Sequence, residues 1–143
     1  MDTLNCAYCQ KGELVAVFGH FALELKNSNV YIFKEQSHYG RLIIAHKKHV
    51  SEIIELTKDE REEFIEEINL IAKAMHLAFN PQKINYGAYG DTGHHLHFHL
   101  VPKYKDEFEW GGVFEMNPKK KMFSDEECEV IAEKLRSAIK KVK

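Results

Sequence analysis

Apolar and polar positions along this chain alternate with two periods, and the switches between them outline a fold. Strand-type runs at 21–25 and 30–33 flank the polar stretch Lys26-Asn27-Ser28-Asn29, which predicts a hairpin. A short apolar run at 42–45, between Gly40 and His46-Lys47-Lys48-His49, predicts a third strand. Thr57-Lys58-Asp59-Glu60 is a capping box, in which threonine and glutamate satisfy each other's orphan backbone N–H groups at a helix start. Phe64, Ile68, Ile71, Met75 and Phe79 then recur at helical spacing until Asn80-Pro81 ends the helix. A stripe of this kind belongs to a core.

Residues 83–88 predict a further strand, followed by the turn Tyr89-Gly90-Asp91-Thr92-Gly93 and a last strand from His95 to about Lys103. Residues 110–118 read as an ordered but irregular loop, and Lys119-Lys120-Lys121 as a solvated approach to the next element. That element opens with a second capping box, Ser124-Asp125-Glu126-Glu127. In the helix it starts, Val130, Ile131, Leu135 and Ile139 are expected to face inward, and Cys128 to be a buried small hydrophobe. Lysines at 140, 141 and 143 suit the negative end of its dipole. Runs of strands with segregated helices predict an α+β fold: an antiparallel sheet of about five strands, one long central helix and a C-terminal helix. Nothing marks a linker or an internal repeat, so residues 1–143 read as one domain, with a core over 1–105 and a C-terminal loop and helix over 106–143.

Twenty basic and 22 acidic residues leave a formal charge of −2, so no global field draws nucleic acid or an anionic membrane. Met1-Asp2-Thr3-Leu4-Asn5 lacks the features of a signal peptide, and no apolar run has the length of a membrane span. The expected setting is cytoplasmic, without nucleic-acid or membrane partners. Two of the three cysteines form Cys6-Ala7-Tyr8-Cys9, which in a reducing compartment points to metal or redox chemistry. A thioredoxin-type redox pair sits at a strand-to-helix turn, and no helix is read after this one.

The most informative run is His95-Leu96-His97-Phe98-His99-Leu100-Val101. In a strand all three imidazoles share one face, roughly 6.6 Å apart, with Leu96, Phe98 and Leu100 on the other. One such histidine is usually a satisfied, half-buried side chain; three at strict period two, beside His94, read as a site.

Two mechanisms suit it. A neutral ring nitrogen attacks phosphorus and forms a phosphoramidate that water later cleaves; or neighbouring histidines chelate a catalytic zinc that activates water. Cys6, Cys9 and His49 add three zinc-type ligands, which with one histidine of the triad make a closed, structural tetrahedral site. Gly87, Gly90 and Gly93 around Asp91 and Thr92 give a backbone able to approach a phosphate, or simply a tight turn.

The run from His95 to Val101 fits the His-φ-His-φ-His-φ-φ pattern (φ apolar) of the histidine triad superfamily of nucleotide hydrolases and transferases at every position. The early Cys-x-x-Cys, the basic-basic-histidine Lys47-Lys48-His49, the long helix and Asn85-Tyr86-Gly87 extend the likeness over most of the chain, which most resembles bacterial members. The resemblance implies that His97 is the nucleophile that forms a nucleotidyl-histidine intermediate on the α-phosphorus, and that His99 contacts phosphate oxygens. It implies a structural zinc on Cys6, Cys9, His49 and His95. It matches Asn85 and Thr92 to polar residues that hold the phosphate, and Glu35 to the ribose-binding acid. Gly90 and its turn are expected around the α-phosphate, with apolar residues of the first strands receiving a purine base. Expected substrates are nucleoside 5′-phosphoramidates, aminoacyl adenylates or dinucleoside polyphosphates, and the expected assembly is a homodimer. A zinc-stabilised nucleotide-binding module, or a zinc-dependent hydrolase with the triad as ligands, are the alternatives.

Two departures stand out. Asp91 occupies the place of a glutamine in the best-known branch, and His46 that of a common proline. His99 is retained where the transferase branch has glutamine, which favours water as the second acceptor.

Overall fold

A computed structural model describes residues 3–143; Met1 and Asp2, which open the stretch read for a leader, lie outside the described residues. Two one-turn helices, α1 (Ala7–Gln10) and α2 (Glu13–Ala16), precede a hairpin of β1 (Gly19–Glu24) and β2 (Ser28–Phe33). Strand β3 (Leu42–His46) leads through a 3₁₀ turn (Ile53–Glu55) into the long helix α3 (Lys58–Phe79). Strands β4 (Lys83–Gly87) and β5 (His97–Lys103) follow, and α4 (Asp125–Val142) closes the described chain. The sheet is antiparallel throughout, in the order β1-β2-β3-β5-β4. This is the α+β arrangement that the hydrophobic pattern predicts. Among the described residues no helix is long and apolar enough to cross a membrane.

Both capping boxes form as read. Thr57 accepts from the Glu60 N–H and Ser124 from the Glu127 N–H, and each glutamate reaches back to the capping residue. Helix α3 stops at Asn80, whose left-handed backbone (φ 51°) suits asparagine ahead of Pro81. Phe64, Ile68, Ile71 and Met75 are buried, and α3 packs against α4 on one face of the sheet. Val30, Ile32, Leu42, Ile44, Leu96 and Leu100 meet that helical layer from the strands. The other face of β2 and β3 is also buried, by the N-terminal segment: Tyr31, Ala45 and Val15 form a second small cluster with Ala7, Tyr8 and Phe18 packed on it. Covered on both faces, β2 and β3 lack an exposed side, which explains their near-continuous apolar sequences.

Three expectations need correction. The last strand begins at His97 rather than His95. At Leu96 the chain pairs instead with two segments, donating its N–H to Val50 and accepting the His46 N–H, which sets His95 outside the ladder. Val130 is 55% exposed; the inward stripe of α4 is Cys128, Ile131, Ala132, Leu135, Ala138 and Ile139, and Val130 lies about 100° off it. A helix does carry the cysteine pair: Cys6 is the N-cap of α1 and Cys9 lies within it. One turn is too short to impose a periodic pattern, so sequence could not register it.

Candidate active site and metal centre

Cys6, Cys9, His49 and His95 converge although 89 residues separate the first from the last, with one ligand atom from each lying within 4.8 Å of all the others. Sγ of Cys6 is 3.3 Å and Sγ of Cys9 3.5 Å from Nδ1 of His95, while Cys9 Sγ and His49 Nδ1 are 3.0 Å apart. The two imidazole Nδ1 atoms face each other at 3.1 Å. Nε2 of His95 donates to the His46 carbonyl at 2.5 Å, so its Nδ1 presents a lone pair to the centre. Burial and the neighbouring Cys6 sulfur push the Cys9 thiol up to about 11, the behaviour of a sulfur that ionises only beside a cation. Two thiols and two imidazole nitrogens at these separations fit a tetrahedral soft-metal site with its outer hydrogen bond in place.

The strand register then sets the rest of the triad. His97 opposes Ala45 and His99 opposes Ile43 on β3, while Gly87 of β4 opposes His99 from the other side. His97 and His99 share a face, as alternation requires, with ring centroids 5.4 Å apart. Nδ1 of His97 donates to the backbone carbonyl of His95 at 2.7 Å. That bond fixes the neutral tautomer whose Nε2 carries the lone pair. Burial lowers the proton affinity of His97 below the ordinary imidazole value, which keeps that lone pair available. His99 is held down further, to about 3, first by burial, then by the charge of Arg41 and by His97.

A cavity of about 720 Å³ opens over these rings. The turn Tyr89–Gly93 forms one wall, Phe18, Phe33 and Ile43 line its apolar side, and Met116 and Asn117 of the C-terminal loop close the far end. Tyr8 lies against both His95 and His97, with centroids 5.3 and 5.1 Å away. A second cavity of about 450 Å³ lies across the same turn and shares His97, Gly90 and Asp91 with the first.

Of the residues read from sequence, Gly90, Thr92, His95, His97 and His99 line the cavity, and Asp91 lies in the wall between the two. Asn85 sits opposite Val101 on the histidine face of β4 but outside the cavity wall. Glu35 is likewise outside it. Its carboxylate accepts from Ser37 N–H and Oγ and from the N–H groups of Lys120 and Lys121, all at 2.7–2.8 Å, and so fastens the C-terminal loop. The lysine run is therefore anchored through its backbone rather than simply solvated. Gly87 serves packing: a Cβ there would stand 2.5 Å from the Tyr89 ring and 3.0 Å from that of Phe114.

Two side chains escaped sequence reasoning. Tyr8 was visible only as a residue between the cysteines. Arg41 is fully buried, and its one signal was a charge beside the wholly apolar run Leu42-Ile43-Ile44-Ala45.

Comparison with known proteins agrees with this geometry. The model of the family described as "HIT domain" matches residues 26–106, more than half of the chain. Among solved structures the chain is similar to a histidine triad protein from Sinorhizobium meliloti 1021, with 23% identity, 89% of this chain and 94% of that one covered, and a TM-score of 0.81. A histidine triad protein from Marinobacter aquaeolei VT8 gives 20% identity, coverage of 94% and 98%, and a TM-score of 0.82. A zinc-bound histidine triad family protein from Mycobacterium smegmatis gives 16%, 98% and 96%, and 0.69. At these identities the likeness is one of fold. No curated protein matches the chain.

Proposed function

The chain belongs to the HIT domain family, and from that premise we propose that it is a nucleotide hydrolase working through a nucleotidyl-histidine intermediate on His97. The observation that carries the reading is the His97 ring, anchored by Nδ1 to the His95 carbonyl and presenting a deprotonated Nε2 at a cavity of nucleotide size. Nε2 attacks the α-phosphorus; the N–P bond forms as the P–N or P–O bond to the leaving group breaks, and the leaving group departs with that electron pair and, where it is an amine, with a proton taken from solvent. The ring becomes cationic on phosphorylation, and the carbonyl accepting from Nδ1 stabilises it. Water then attacks the same phosphorus and gives up a proton to solvent as the P–N bond to the ring breaks, releasing the nucleoside monophosphate and neutral His97. Thr92 and Gly90 line this cavity beside His97, which supports them as hydroxyl and backbone donors to phosphate oxygens, and Phe18, Phe33 and Ile43 offer an apolar bed for a purine.

Zinc belongs on Cys6, Cys9, His49 and His95, where four protein ligands leave no open position and make it structural. His97 and His99 stand outside that cluster, which counts against the triad as a catalytic metal site. Ile65 and Leu77 on α3 and Tyr86 on the edge strand β4 are exposed apolar side chains on the elements through which the family resemblance implies a homodimer.

Turnover of adenosine 5′-phosphoramidate and diadenosine tetraphosphate by the wild type and by His97→Asn tests the reading. Wild-type release of AMP from either, absent in His97→Asn, is expected. If the wild type turns over neither while binding AMP, the protein is a binding module.

A further inference from the structure

Arg41 reaches the third histidine from behind the cavity, its Nη2 lying 3.1 Å from Nδ1 of His99. A guanidinium has donors and no acceptor, so Nδ1 of His99 must offer a lone pair, and the neutral ring carries its proton on Nε2. The same guanidinium donates to the Glu115 carbonyl from Nη1 at 3.1 Å and to the Met116 carbonyl from Nη2 at 2.9 Å. It is packed between two rings, 4.2 Å from the centroid of Phe33 and 5.0 Å from that of Phe114. Phe33 and Phe114 also flank His99 itself, at 5.5 and 6.3 Å. Nε of Arg41 has no hydrogen-bond partner, so the side chain is oriented by its two terminal nitrogens.

A wholly buried cation is costly to keep. The charges of Glu35 and Glu109 offset part of that cost through space, yet the direct partners of Arg41 are a ring nitrogen and two carbonyls. A salt bridge would have used a carboxylate in their place. The arrangement instead fixes the orientation of one imidazole relative to one loop.

We infer that Arg41 is a positioning residue: it holds His99 as the neutral Nε2–H tautomer and ties that ring to the Met116–Asn117 end of the cavity, so that Nε2–H donates to a phosphate oxygen. This deepens the hydrolase reading and rests on it. His99 then acts as a fixed hydrogen-bond donor that keeps its proton throughout turnover, unlike His97, whose lone pair does the chemistry. The two neighbouring histidines share a face and turn the same nitrogen, Nε2, to function in opposite protonation states, because one is bonded through Nδ1–H to a carbonyl and the other through its Nδ1 lone pair to an arginine.

The test is spectroscopic first. Long-range ¹H–¹⁵N correlation spectra of the zinc-loaded protein at pH 7, with His99 assigned by its loss in His99→Asn, should show an Nε2-protonated His99 whose Nε2–H signal shifts on addition of AMP. Arg41→Met should move population to the Nδ1–H tautomer, and Arg41→Lys, which keeps a donor, should restore Nε2–H. With adenosine 5′-phosphoramidate, Arg41→Met should lower kcat by roughly ten- to a hundredfold and change KM by less than about threefold, and Arg41→Lys should regain most of the loss. An Nδ1–H or cationic His99 in the wild type overturns the inference, as does an Arg41→Met protein with unchanged tautomer and kcat. Should Arg41→Met fail to fold, the wild-type and Arg41→Lys spectra decide. A wild type that shows Nε2–H on His99 but hydrolyses nothing sinks the hydrolase reading and leaves the tautomer lock standing.

Discussion

The Tyr8 ring lies 5.1 Å from the imidazole of His97, tilted by 35°, although the two residues belong to opposite ends of the fold's construction. Tyr8 sits between the two cysteines of the N-terminal helix, and His97 begins the interior strand β5. Contact between them makes the proposed metal centre a support for the wall of the proposed catalytic cavity, without giving the metal any part in bond breaking.

Zinc should therefore be present at one ion per chain and be lost in Cys9→Ser. Chelation should lower Tm by roughly 10 °C, since a site that closes only in the folded chain adds its binding energy to folding. The initial rate on a phosphoramidate should fall less steeply than stability does. Rapid loss of rate at constant Tm, followed by calorimetry and stopped assays on the same samples, would point to a catalytic metal.

His97→Ala should reduce turnover by about a thousandfold or more, because it removes the atom that forms the covalent bond. AMP affinity, measured by isothermal titration, should stay within about threefold. Activity within tenfold of wild type would remove His97 from the role.

Thr92→Val keeps the shape of the turn and deletes a hydroxyl from the cavity wall. A donor to an oxygen that gains charge matters most in the transition state, so kcat should fall by about tenfold with little change in KM. A rise in KM alone would place the hydroxyl on the ground-state nucleotide.

Glu35→Gln should destabilise the fold by about 2–3 kcal/mol, read as a shift of the urea midpoint, because an amide nitrogen would meet N–H donors where a carboxylate oxygen accepts them. If Glu35 instead binds ribose, as the family resemblance implies, the substitution should raise KM and leave the midpoint unchanged.

Stability should respond to acid in the histidine range. His38, His46, His97 and His99 are all buried with proton affinity below the ordinary value of 6.5, burial being the largest cause for each. The unfolded chain then binds more protons than the folded one below about 6.5, so stability is full above that pH and is lost as pH falls through it. Tm should be nearly level from pH 7.5 to about 7 and then decline to pH 5.5, before carboxylates protonate. Glu35 and Glu109, whose affinities are lowered by backbone and side-chain donors, should add a second loss below about 4.5. A flat Tm between pH 7.5 and 5.5 would contradict the first step.

The sequence by itself determined the strands, the two long helices and the chemistry-bearing residue types, but not the one-turn helices of the N-terminal segment. Two capping boxes, the stripe from Phe64 to Met75, and the strict alternation from His95 to Val101 are local signals, each set by backbone geometry within a few residues. Only the tertiary structure decided which of these residues meet. Cys6 and His95 touch across 89 positions because the Leu96 backbone leaves the ladder to pair with Val50 and His46, which aims His95 at the cysteines while His97 and His99 face the cavity. Arg41 and His99 are 58 positions apart, and nothing near either marks the other. Glu35 shows the converse: the family resemblance matches it to a ribose-binding acid, and only the fold brings the N–H groups of Lys120 and Lys121 from 85 residues away onto its carboxylate. Periodicity reports which way a side chain points along its own element; what it points at is set by strand register and by loops packed over the sheet, and those are properties of the whole chain.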